Sequence, residues 1–110
     1  MSSAEFYVTD IVPNAAGHSV FYGLMNDHVS SVRVGDVFTT RYEISRDDAL
    51  NGALNAPRLN VKQVSLRVEK IEMYRGQIVP ELHGSTGATG GLQLVGTGLE
   101  LVTEKCFLRT

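Results

Sequence analysis

Glu72, Tyr74 and Arg75 close a long β-type run just before the Arg75-Gly76 turn. A carboxylate, an aromatic ring and a guanidinium so close together suit a nucleotide or RNA end. The ring would stack on a base and the guanidinium would meet phosphate. The competing reading packs Tyr74 on a rim and leaves Glu72 and Arg75 solvated, and it weighs more, because charges at strand ends are common. His18 opens a strand and His28 and His83 read as turn residues; they lie far apart, none with a second ligand at metal spacing, and the single cysteine, Cys106, is not near any of them. No metal site is expected. Lys105 could lower the Cys106 pKa, but with no adjacent histidine a half-buried packing role is the better reading. Glu43, Arg46, Asp47 and Asp48 offer a carboxylate pair for acid–base work. A solvated loop holds such geometry poorly, so they read as loop solubility.

The glycine runs are weaker still as sites. Gly84, Gly87, Gly90 and Gly91 could form an anion-binding nest, yet the run has no lysine and leads into a strand, not a helix. A tight β-connection explains it better. Gly96-Thr97-Gly98 lacks the third glycine and the helix of a dinucleotide fingerprint. We expect no catalytic residue, no cofactor and no enzyme. A reaction centre would need the fold to bring His18, Glu72 or Asp36 together.

The elements that must position these residues are strands. Ala4 to Val12 alternates, with Phe6 and Val8 on one face and Tyr7, Thr9 and Ile11 on the other. After the Pro13–Gly17 turn cluster, His18 to Met25 sets Val20, Tyr22 and Leu24 against Phe21 and Met25. Val29 to Val34 leads into Gly35-Asp36. Val37 to Ile44 then sets Val37, Thr39 and Arg41 against Phe38, Thr40 and Tyr42. From Asn60 to Tyr74, Val64, Leu66 and Val68 share one parity, and Ile71 and Met73 share the other. A bulge near Glu69-Lys70 would return both groups to the core and bend the strand, as small barrels do at their corners. Gln77 to Pro80 reads as an edge, because Pro80 cannot donate to a ladder. Leu92 to Val95 and Leu99 to Thr103 read as strands, and Lys105 to Leu108 closes the chain. Segment 45–59, rich in Asp, Asn, Gly and Pro, reads as a long loop or insertion. No amphipathic helix is legible, so the pattern is all-β.

The whole chain, 1–110, reads as one domain. It is 43% hydrophobic and 20% charged, with a formal net charge of −2. That balance argues against a general nucleic-acid coat protein, and no DNA partner is expected. One cysteine permits no intramolecular disulfide, and the N-terminus shows no basic-then-apolar leader, so a cytoplasmic location is expected. No apolar stretch approaches the roughly 18 residues of a membrane span.

The order of features resembles the second domain of translational GTPases such as elongation factor Tu. Phe6-Tyr7-Val8-Thr9-Asp10 is similar to that family's first strand. Gly17-His18-Ser19-Val20-Phe21-Tyr22-Gly23 and Val32-Arg33-Val34-Gly35-Asp36-Val37 follow in the family order. Val68-Glu69-Lys70-Ile71-Glu72-Met73-Tyr74-Arg75 and Gly90-Gly91-Leu92-Gln93-Leu94-Val95-Gly96 complete it. The resemblance spans nearly the whole chain and implies a closed Greek-key barrel of six to seven strands. It also implies a role for Glu72 in holding the 3′ end of an RNA. Where the family carries a second RNA-end residue, an arginine, this chain has Val95, and it has no P-loop. Relative to that family, segment 45–59 looks like an insertion.

A non-enzymatic binding module is therefore expected, chiefly a protein-interaction domain of a larger assembly. The partner-binding candidates lie in the loop: Arg46, Asp47, Asp48, Asn51, Asn55 and Arg58. An RNA-binding barrel using Glu72, Tyr74 and Arg75 is the alternative. A homo-oligomer associating through Gln77–Pro80 is the third reading.

Overall fold

The computed structural model describes residues 4–13, 17–26, 29–45, 57–73, 76–86 and 89–110. They contain nine strands: β1 (Glu5–Pro13), β2 (Ser19–Met25), β3 (Ser31–Arg33), β4 (Val37–Glu43), β5 (Leu59–Met73), β6 (Gln77–Val79), β7 (Glu81–His83), β8 (Gly90–Thr97) and β9 (Phe107–Arg109). The sheet order is β4-β9-β1-β2-β8-β5-β6, and β4 also pairs with β5. Six antiparallel strands therefore close into a barrel, with β6 added outside β5. Closure removes the open edges that a flat sheet of this size would expose.

Bends make closure possible. In β5, Val64, Leu66 and Val68 are buried, and so is Ile71 after the parity change. The β5–β8 register shifts between Val68 and Lys70, so a bulge sits where the sequence pattern requires one. β1 has a matching shift between Val8 and Asp10. It turns Ile11 back against the core, not outward with Tyr7 and Thr9 as simple alternation predicts. The β4–β5 register shifts between Phe38 and Thr40, where two steps along β4 answer three along β5. Arg41 consequently lies opposite the buried Leu108, on the interior side with Phe38 instead of across from it. A one-residue insertion inverts every later side chain, and single-strand parity cannot foresee it.

The core is formed by Phe6, Val8, Phe21, Phe38, Leu66, Val68, Ile71, Leu92 and Leu108, with smaller neighbours. A second sheet, the β3–β7 ribbon, adds Val32 and Leu82 to it. The ribbon is fastened by Arg33–Glu81 at 2.6 Å. The Gly35 N–H donates to Val68 O at 2.8 Å and the Val68 N–H to Asp36 O at 2.9 Å, which tie the Gly-Asp turn to the barrel.

Three further expectations need correction. Leu99–Leu101 is a 3-10 turn, not a strand. Gly96 (φ +136°) and Gly98 (φ +99°) end β8 and wind the chain tightly instead of letting it extend. His83 ends β7 and does not lie in a turn. Cys106 is fully buried, not half-buried. β6 is a sheet edge, as Pro80 implies, and ends at Val79.

Candidate functional site

The register of five strands assembles an exterior row around Glu72. Asp10 pairs with Tyr22, Tyr22 with Gly91, Gly91 with Glu72, and Glu72 with Ile78. Gly91 is required here. A β-carbon on it would lie 2.8 Å from both Tyr22 Cε1 and Val20 Cγ1. The missing side chain lets the Tyr22 ring lie against Gly91 of β8. The Glu72 carboxylate is held by Lys70 Nζ at 3.2 Å. Tyr74 and Arg75 lie outside the described residues, as do Arg46, Asp47, Asp48, Asn51 and Asn55.

Arg58, the remaining loop candidate, packs against the barrel. Its guanidinium carbon stands 4.5 Å from the Tyr42 ring centroid, and its Nη2 is 3.3 Å from Glu5 Oε1. Tyr42 stacks on Phe107 at 5.0 Å and 7°, and Phe107 meets Tyr7 at 4.8 Å. The Tyr42 hydroxyl donates to Glu5 Oε2 at 2.5 Å. Burial first, then the Glu5 carboxylate, drives the phenol well above its ordinary pKa of 10.0. This exterior stack joins β1, β9 and β4.

Sequence reasoning did not find Arg41. It is 4% exposed. Its Nε donates to Leu101 O at 2.7 Å, Nη1 to Asn60 O at 3.0 Å and to Glu43 Oε2 at 2.8 Å, and Nη2 to Thr103 Oγ1 at 2.8 Å. The hydrogen bond from Arg41, with a second from Asn60, holds the Glu43 carboxyl below its usual pKa. The only sequence signal was a lone cation in a β-type run. Its effect is to pin the 3-10 turn against β4 and β5.

That turn forms one wall of a cleft of about 670 Å³. The cleft exists because β2 and β8 part. Their pairing ends at Phe21–Leu92, whereas β2 begins at Ser19 and β8 runs on to Thr97. Ile11, Phe21, Leu94, Leu99 and Val102 supply its apolar lining, and His18, Glu69, Gln93 and Glu100 supply its polar lining. Glu69 pairs with Arg67.

Among the described residues, the structure does not bring His18, Glu72 and Asp36 together. His18 lies in the cleft wall, while Glu72 and Lys70 sit in the exterior row. Asp36 Oδ2 accepts from the Arg33 N–H at 2.9 Å and so braces its own turn. His83 Nδ1 accepts from the Ser85 N–H at 3.0 Å. Burial raises the Cys106 thiol pKa, against nucleophilic use. Among the described residues, no group of three or more His, Cys, Asp or Glu could hold a metal ion.

Comparison with solved structures gives a match to translation elongation factor SelB from Methanococcus maripaludis, apo form. The TM-score is 0.60 at 16% identity, over 99% of this chain and 19% of that one. The fold is a closed antiparallel β-barrel similar to part of that factor. The barrel spans about a fifth of the elongation-factor chain. At this identity the likeness concerns architecture alone. No protein-family model and no curated protein matches this sequence. Among its described residues, no helix is long and apolar enough to cross a membrane.

Proposed function

We propose that this chain is a non-catalytic binding module whose partner is another protein. The break between β2 and β8 carries this reading. It is a concave recess with an apolar floor and a few polar groups at the rim, the general form of a binding site. Val95 and Leu99 stand 42% and 37% exposed at its mouth, so apolar surface continues outward. The likeness to an elongation factor supports a module that works inside a larger assembly, in a cytoplasmic setting. Segment 45–59 is the second proposed contact.

The test is a tagged pull-down from native extract, with and without ribonuclease. A protein partner that survives ribonuclease, and is lost with Leu99→Glu in a variant of unchanged circular dichroism, is the expected result. Loss instead on deleting Asp47–Asn55 would move the contact to the loop. Recovery of RNA alone would overturn the protein reading.

One observation favours an RNA-end alternative. The register sets Tyr22 and Glu72 on the two strands that flank Gly91, and Glu72 precedes Tyr74 and Arg75 in the sequence. This reading requires salt-sensitive RNA binding that Arg75→Ala weakens. No binding at low salt would remove it.

A further inference from the structure

We propose that the cleft between β2 and β8 receives an extended peptide that adds as a strand to the free edge of β8, and that this peptide alternates aliphatic with basic residues. The inference rests on the protein-binding reading and specifies the chemistry of the partner segment.

The backbone argues for a strand. β8 is paired to β5 along most of its length, as far as Ser65–Thr97. On its other side, among the described residues, strand pairing stops at Leu92. From Gln93 to Thr97, every second residue of β8 turns its N–H and C=O towards the gap. A strand edge beside an apolar recess is the arrangement used in β-strand addition, where main-chain hydrogen bonds supply affinity and alternate side chains supply selectivity. The Leu94, Phe21, Ile11 and Val102 side chains offer the inner set of those contacts.

Charge argues for a basic peptide. The rim carries two carboxylates, Glu69 and Glu100, and His18. Arg67 compensates Glu69, whereas Glu100 is exposed on the 3-10 turn and makes no ion pair among the described residues. The net charge of −2 adds a weak field of the same sign. An acidic peptide would meet like charge at the rim, and a basic one would be drawn in. Arg41 holds the turn that presents Glu100, through its bond to the Leu101 carbonyl, so the acidic wall is fixed before binding.

The probe is a fluorescein-labelled Lys-Val-Lys-Val-Lys peptide, read by anisotropy against a Glu-Val-Glu-Val-Glu control and a backbone N-methylated copy. The intact chain is expected to bind the lysine peptide and neither control. Glu100→Lys should weaken binding about tenfold, and raising the salt should weaken it further. Amides of Gln93–Thr97 should gain hydrogen-exchange protection when the peptide is bound. Matched thermal melting of Glu100→Lys and the parent chain excludes unfolding as the cause. Absence of lysine-peptide binding at low salt overturns the proposal. So does equal binding of the N-methylated copy, or unchanged exchange in Gln93–Thr97. A partner still captured in the pull-down would then leave the protein-binding reading standing without this peptide chemistry.

Discussion

Two residues determine more of this molecule than their number suggests. Arg41 is a buried cation whose donors are taken by two backbone carbonyls, a hydroxyl and a carboxylate. Such a group is costly to desolvate and costlier to orphan. Arg41→Met is expected to destabilise the chain by about 3 kcal/mol, because the Glu43, Leu101, Asn60 and Thr103 acceptors lose their donor. Chemical denaturation measures it, and a loss under about 1 kcal/mol would show that water replaces the guanidinium freely. Tyr42 makes a pH prediction. Its phenol stays protonated in the folded chain above the ordinary value of 10.0. In the unfolded chain it ionises near that value. Its contribution is therefore fully present below about pH 10 and is lost as pH rises beyond it. Denaturation midpoints should fall above pH 10 in the parent chain and fall less steeply in Tyr42→Phe. That variant should also lose about 1 kcal/mol at neutral pH with the Glu5 hydrogen bond.

At the scale of elements, bulges and glycines set which side chains meet. Gly96 has φ +136°, and a β-carbon there would stand 1.9 Å from the Ser65 carbonyl oxygen. Gly96→Ala must strain the backbone and push β5 away from β8, so a loss of at least about 2 kcal/mol is expected. Val95→Ala next to it, on an exposed outward position, should stay within about 0.5 kcal/mol. Equal melting temperatures for the two variants would refute that account of the β8 end. The bulge of β5 was legible because two apolar groups of opposite parity flank it. The bulge of β1 and the shift between β4 and β5 were not. Only Ile11 marked the first, and the parity of Arg41 looked correct for a surface cation until its strand bent.

At the scale of the whole molecule, barrel closure divides the chain into tight and loose parts. β5 is paired along both edges, by β8 on one side and by β4 and then β6 on the other. β6 and the β3–β7 ribbon are three-residue strands outside the closed ring. Native-state hydrogen exchange should find Leu66 and Val68 amides among the slowest and β6 amides among the fastest. Equal protection throughout would contradict this division. β6 also carries Ile78, 54% exposed, on the sheet's terminal strand. So short an edge is a poor template for self-association. The chain should sediment as a monomer at micromolar concentration, and a discrete dimer abolished by Ile78→Lys would return that edge to the functional candidates.

The sequence by itself determined the local physics: strands from alternating apolar residues, the Gly35-Asp36 turn, the β5 bulge and the edge before Pro80. From the order of those features it reached the barrel. It did not determine which distant residues share a surface. Tyr22, Gly91 and Glu72 share a row through two strand registers, and the cleft opens where β2 and β8 stop pairing. Arg41 reaches Leu101 only because a bend in β4 turns it inward. Each depends on pairings across long sequence separations. A one-residue shift in any of them inverts a face, so only the tertiary structure could decide them.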